Sequence, residues 1–227
     1  TDPKATFESA TTKLEAGNTE EAIEDYLALA SAGWHASELY HNLAIAHDHL
    51  NQPNRALAQA YRSLLLAPQT QSYLASFDTL ADKVDLAPSR QKTLKWGVRA
   101  TQWHRPLAIA ASLLFWMAIV FLIRWRHQPT ALTFGILSLS FAAIAAGGAL
   151  LLHTKLPSPT AAWFVGDDSL PMLASHAEGA PEVGSIRPLE EVNVQSTRGD
   201  WSNIVTTRGR SGWVKSDALA MLFPWRW

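Results

Sequence analysis

The chain has 227 residues, 48% of them hydrophobic, a formal net charge of −1 and no cysteine. This length allows one or two ordinary domains, and the lack of cysteine excludes disulfides, thiolate metal sites and thiol nucleophiles. The near-neutral total hides three unlike segments: residues 1–88 carry 5 basic and 12 acidic side chains, residues 89–131 carry 7 basic and no acidic ones, and residues 132–227 carry 7 and 8.

Such asymmetry maps domains. The basic block flanks the most apolar stretch, so anionic lipid headgroups rather than nucleic acid are its expected neighbours. The chain opens at Thr1 with no charged and apolar leader ahead of it. A removed signal peptide and a trimmed numbering both fit that start.

From residue 7 to 68 the sequence repeats itself. Ala10, Gly17, Ala22 and Tyr26 recur in spacing as Ala44, Asn51, Ala56 and Ala60, each 34 residues on, the period of tetratricopeptide repeats. In the second copy Tyr40, Leu43, Ala44, Leu50, Ala56 and Pro68 fall where that pattern wants large, large, small, large, small and proline. Small residues let the two helices of a pair approach, and large ones fill the seam between pairs. Gly17-Asn18 and Asn51-Gln52-Pro53-Asn54 are the expected turns.

A further helix over Gln71 to Leu86 offers Tyr73, Leu74, Phe77, Leu80 and Val84. Its Asp78 stands where a small residue belongs, so it reads as a cap rather than a third repeat. Two repeats and a cap fall short of the about three usually needed for independent stability, so support from a neighbouring element is expected. Repeat solenoids bind through concave surfaces. The acidic balance here suits a basic or mixed-polarity protein segment, or is simply a solvated face. His41, His47 and His49 share one predicted helix, with His35 before it, but His47 and His49 do not share a face. They read as structural, and no metal site is expected.

Leu107 to Ile123 and Leu132 to Leu152 are uncharged apolar runs of 17 and 21 residues, against the roughly 20 that a spanning helix needs. Pro106 stands where a helix start tolerates it, and Pro129 lies in the connector. Trp103, Arg105, Arg124, Trp125 and Arg126 form the expected membrane interface. In the second run Ser138, Ala142 and Ala146 recur every four residues, as do Ala143 and Gly147. Such small-residue faces bring helix backbones together, either within the hairpin or against a partner.

From Ala161 onward short β-type runs alternate with turn residues: Val192-Asn193-Val194, then Trp201 to Val205, then Gly209-Arg210-Ser211-Gly212-Trp213-Val214. About 60 residues of this kind suit a small closed β-barrel. Gly199-Asp200-Trp201 followed by the run from Gly209 to Val214 resembles the bacterial SH3 (SH3b) signature. The resemblance implies turn geometry at Gly209 and Gly212 and a core position for Trp213 and Val214, with Trp201 at core or rim. Leu189-Glu190 stands where that family commonly has a turn glycine, and its usual arginine is not evident near Ala174. The ending MLFPWRW suits either insertion at a headgroup boundary or packing back on the barrel.

The expected fold is therefore multidomain. It comprises an all-α tetratricopeptide-like solenoid over 1–88, a basic juxtamembrane segment over 89–106 and a two-helix transmembrane hairpin over 107–152 (spans about 107–123 and 132–152). An all-β SH3-like barrel over 161–222 and an aromatic tail over 223–227 follow.

This order of modules, with the run from Phe7 to Tyr26 and Asn42-Leu43-Ala44, resembles BatE-like proteins of the bacterial aerotolerance operon. That resemblance implies a multi-pass bacterial inner-membrane protein working with von Willebrand A-domain Bat proteins and a MoxR-type ATPase. The hairpin places both end domains on one side. Arg90, Lys92, Lys95, Arg99, Arg105 and Lys155 outside it, against Arg124 and Arg126 in the connector, favour the cytoplasm; the resemblance favours the periplasm, the side expected here.

No phosphate-binding glycine loop, G-x-S-x-G elbow or H-E-x-x-H is present, so neither a catalytic residue nor a cofactor is expected. The expected function is a scaffold or assembly subunit. The alternatives are a peptidoglycan-binding or sensing anchor and an accessory subunit of another membrane complex.

Overall fold

The structure is a computed structural model describing residues 2–124, 130–153 and 158–223. Helices come first: α1 (Pro3–Glu15), α2 (Thr19–Ser31), α3 (Ser37–His49), α4 (Pro53–Leu66), α5 (Gln71–Lys83), α6 (Pro88–Arg124) and α7 (Thr130–His153). Strands follow: β1 (Ala161–Phe164), β2 (Leu170–Leu173), β3 (Glu182–Ile186), β4 (Glu191–Arg198), β5 (Trp201–Thr206), β6 (Ser211–Lys215) and β7 (Leu219–Met221). The chain forms two compact units, one of Thr1–Gln91 with Pro157–Trp227 and one of Lys92–Leu156. The early helices and the late strands, read from sequence as separate domains, thus share one unit.

Within the first unit one local device recurs. Asp2 caps α1 by accepting from the Lys4 amide, and Pro3 and Pro53 open α1 and α4 where a missing N–H costs nothing. After α1, Gly17 (φ 85°) donates to Leu14 and Asn18 donates to the Lys13 carbonyl. Asn51 (φ 55°) and Gln52 make the same pair of bonds to Asp48 and His47. Asp85 (φ 50°) and Leu86 repeat them to Asp82 and Ala81. This left-handed helix ending satisfies carbonyls the last turn leaves open; it also closes α2 at Gly33, and the copies at Gly17, Asn51 and Asp85 stand 34 residues apart. The last of these copies follows α5, the helix read as a cap. Asp85 supports it because short polar side chains tolerate left-handed backbone.

Ala10, Ala22, Tyr26, Leu39, Leu43 and Ala46 form one buried cluster. Asn42 on α3 donates to the Tyr26 hydroxyl (3.0 Å) and to Thr11 (3.3 Å), satisfying the polar end of a fully buried ring. α4 is covered on nearly every side, from Asn54 and Ala56 through Leu65, as befits the central helix of a layered unit.

The sheet is antiparallel, in the order β3-β2-β6-β5-β4-β1-β7. Ala162, Phe164, Met172, Ile186, Val192, Val194, Ile204 and Val214 form a single cluster drawn from β1 to β6, so the sheet curls over one apolar core. Bulges after Val194 and Met172 shift the register and sharpen that curl.

In the second unit, Arg105–Arg124 and Thr133–His153 are 20 and 21 residues long and apolar enough to cross a membrane. Only 11% and 17% of these stretches is buried, unlike the core helices of a soluble fold. Pro106, expected at a helix start, instead lies inside α6. The helix begins 18 residues earlier, at Pro88, because nothing between Ser89 and Arg105 breaks a helical pattern. An interior proline leaves one carbonyl without its helical partner, a defect that membrane helices often accommodate.

Candidate functional site

Two surfaces of the first unit concentrate its unusual chemistry. The first is the seam where α4 and the start of α6 meet the sheet. Asn54 donates to the carbonyl of Gly166 (3.1 Å) and to the carboxylate of Asp167 (3.2 Å). Arg62 donates through Nε to the Met221 carbonyl (2.6 Å) and through Nη1 to Gln59 Oε1 (2.8 Å), and its guanidinium lies 5.5 Å from the Tyr40 ring centre. Burial lowers the guanidinium pKa to about 10.

Tyr61 stacks on Trp163 with ring centres 5.0 Å apart, and both are buried. The Arg90 guanidinium also lies against that indole, 5.7 Å from its centre, and donates to the Leu189 carbonyl. Leu189 adopts φ 58° although it is a bulky residue, a conformation costing roughly 1–2 kcal/mol. Its side chain is buried, and its N–H donates to Phe164 (2.7 Å). Leucine therefore takes the left-handed backbone that glycine commonly provides, held by the seam on one side and by β1 on the other. Beside it, burial raises the Glu191 carboxyl pKa, an effect Arg90 opposes. The displaced ionisations of Arg62, Arg90 and Glu191 are thus packed into the seam rather than arranged around an open cleft.

The second surface is the outer face of β4, β5 and β6. Ser202, Ile204 and Thr206 point inward, leaving Trp201, Asn203 and Val205 outward. Gly212 and Val214 likewise point inward, so Trp213 faces out. This corrects the expectation that Trp213 enters the core with Val214: adjacent strand residues face opposite ways, and only Val214 reaches the core cluster. Trp201 is likewise on the outer side, half-buried.

Gly209 supplies turn geometry at φ 77°, whereas Gly212 does not. Gly212 lies within β6, where a Cβ would sit 2.7 Å from Met172 Cβ and 3.0 Å from Val183 Cγ2. It is there for the close approach of β2. Around the two indoles, Lys215 lies 5.9 Å from the Trp201 ring, Arg198 lies 6.0 Å from the Trp213 ring and His176 packs at 5.1 Å on Trp213. Asn203, between the indoles in the register, holds a buried Oδ1 without a hydrogen-bond donor. A cleft of about 320 Å³ lined by Thr197, Gly199, Asp200, Lys215, Ser216 and Asp217 opens beside this face. Lys215 also pairs with Glu178 at 3.5 Å, so the face presents two indoles flanked by charges of both signs, which suits a mixed-polarity protein segment.

The repeat residues Ala10, Ala22, Tyr26, Tyr40, Leu43, Ala44 and Ala56 are buried. Leu50 and Pro68 are half-buried, and Gly17 is an exposed turn residue. His47 is buried and donates to Gln52 Oε1 (2.9 Å), His35 bonds the Tyr40 hydroxyl (2.7 Å) and His41 packs on Tyr73.

In the second unit Ser138 and Ala142 are buried and Ala143, Ala146 and Gly147 are exposed. The small-residue series therefore divides: its first two members pack within the hairpin. Gly135, absent from the sequence reading, belongs to that packed face, its Cβ position 3.4 Å from Leu122 and Phe121. Trp103, Arg105 and Arg124 are exposed. Trp125, Arg126 and the tail beyond Phe223 lie outside the described residues, and Phe223 itself is buried.

Comparison of the chain with protein families, with curated proteins and with solved structures finds no match in any of the three.

Proposed function

We propose that the chain is a non-catalytic, membrane-anchored scaffold or assembly subunit. In this reading α1 to α5 are tetratricopeptide-like repeats, the strands are an SH3b-like barrel, and α6 and α7 are the anchor. The observation that carries it is the outer sheet face: two half-buried tryptophans under Lys215, Arg198 and His176, on a sheet bonded to the helical layer through Asn54 and Arg62. Tryptophan and arginine are the residues that most often dominate protein–protein contacts. By their resemblance to BatE-like proteins, the proposed partners are von Willebrand A-domain membrane proteins and a MoxR-type ATPase system. The proposed location is the bacterial inner membrane, with the first unit in the periplasm.

Extraction of native membranes in mild detergent, followed by capture of the tagged chain and native mass spectrometry, tests this reading. Stoichiometric membrane partners are expected, and a clean monomer overturns it. The SH3b-like signature favours a second reading, binding to cell-wall peptides; pull-down on purified peptidoglycan separates the two. Because the chain lacks cysteine, a single cysteine at Arg208 labelled with an impermeant maleimide reports the side. Labelling in intact spheroplasts is expected.

A further inference from the structure

We propose that the second unit holds an anionic phospholipid at one end of its helix pair, with an acyl chain in the cleft at Trp96 and Leu151 and the phosphate on Lys92 and Arg99. The proposal rests on reading α6 and α7 as membrane-spanning. The cleft, about 480 Å³ in volume, is lined by Thr93, Trp96, Gly97, Leu151 and Leu152. Its walls are an indole, two leucines and a glycine, with one hydroxyl, so an uncharged hydrocarbon fits it.

Its rim is the opposite. Residues 92, 96, 99 and 103 are spaced to share one helix face, and Lys92, Trp96, Arg99 and Trp103 are all exposed there. The Arg99 guanidinium lies 5.8 Å from the Trp96 ring centre, which sets a cation beside one wall of the cleft. The sequence of this unit, Lys92–Leu156, contains no aspartate or glutamate at all. Lys92 and Arg99 therefore find no carboxylate within the unit, and an anion from outside it suits them.

The level along the helices supports the same occupant. The cleft lies N-terminal to Arg105, where the apolar stretch of α6 starts, and against the C-terminal end of the apolar stretch of α7. Trp96 and Trp103 are 52% and 53% exposed there, and Leu151 is 70% exposed, an arrangement suited to a headgroup boundary. A free phosphate would leave the apolar cleft unfilled, and a neutral lipid would leave the cations uncompensated. An anionic phospholipid satisfies both.

Native mass spectrometry of the full chain, released from micelles containing equal amounts of dioleoyl phosphatidylglycerol and dioleoyl phosphatidylcholine, tests this. Phosphatidylglycerol adducts are expected to dominate. Lys92→Gln and Arg99→Gln are each expected to weaken them about fivefold, the effect of roughly 1 kcal/mol per cation near a charged lipid, while Lys92→Arg retains them. Thr93→Trp, which fills the cleft, is expected to weaken adducts of both lipids. Equal adducts with the two lipids overturn the proposal, as does competition by glycerol phosphate alone at the same concentration. Unchanged circular dichroism of each variant excludes misfolding as the cause of a loss. Release of the chain from membranes by alkaline carbonate overturns the membrane-spanning reading itself. A chain that stays in the membrane but shows no lipid preference overturns only the lipid site.

Discussion

Arg62 on α4 and Met221 on β7 stand 159 residues apart and are joined by a 2.6 Å hydrogen bond from the guanidinium Nε to the backbone carbonyl. The arginine is buried, and Gln59 and the Tyr40 ring complete its surroundings. Replacing it strands a part-buried carbonyl and the amide oxygen of the buried Gln59 as well as removing a charged donor. Arg62→Ala is expected to cost about 3 kcal/mol. In thermal unfolding of the detergent-solubilised chain that appears as a fall in Tm of roughly 6–12 °C. Arg62→Met, which keeps the packing volume, is expected to cost less.

The two glycines of the β5–β6 region separate steric from conformational demand. At Gly212 a Cβ collides with Met172 and Val183, so Gly212→Ala overpacks the core at a cost of about 1–3 kcal/mol. At Gly209 there is open space but φ is 77°, so Gly209→Ala costs about 1 kcal/mol through backbone strain alone. Shrinking Val183 to alanine removes the 3.0 Å contact with Cγ2, so Val183→Ala is expected to relieve part of the Gly212→Ala penalty and to leave the Gly209→Ala penalty unchanged. Equal behaviour of the two glycines in that double-mutant cycle contradicts this assignment.

Burial holds His35, His41 and His47 below the ordinary histidine value, with Arg62 adding to the effect at His35 and His47. The unfolded chain therefore takes up protons near pH 6.5 that the folded helices refuse. Stability is full above that pH and falls as the pH drops below it. Glu191, whose pKa burial raises, acts in the opposite sense at lower pH. A declining Tm from pH 7.5 to 5.5 is expected, with a shallower decline in His47→Gln. A flat profile contradicts the burial of these rings.

Trp201 and Trp213 are half exposed on the outer sheet face. Their replacement by alanine is expected to cost little stability and to abolish partner capture, whereas Val214→Ala in the core is expected to do the reverse. Thermal unfolding and co-purification of the same three variants measure both outcomes. Loss of stability without loss of capture at Trp201 and Trp213 removes this face from the proposed function.

What could be read in advance follows from how local each signal is. The 34-residue spacing is carried by residues such as Ala10, Ala44, Gly17 and Asn51, and each is decided by its own helix pair. Its third occurrence hid because Asp78 breaks the side-chain pattern, while Asp85 still adopts the turn backbone. The seam was not legible. Asn54 and Arg62 look like surface residues of an amphipathic helix, and the groups that pay for their burial lie 112 and 159 residues away. The position of Trp213 is legible in the alternation of Gly212, Trp213 and Val214, which turns adjacent strand residues to opposite faces.

The pairing of β1 with β7 gives the chain a schedule. A ribosome adding about 5–20 residues per second produces α4 long before it produces Met221, a delay on the order of ten seconds. During that interval the buried side of Arg62 has no carbonyl to meet, and the stretch containing both apolar helices emerges in between. The helical layer must therefore wait, half covered, until both apolar helices have emerged and the final strand closes over it.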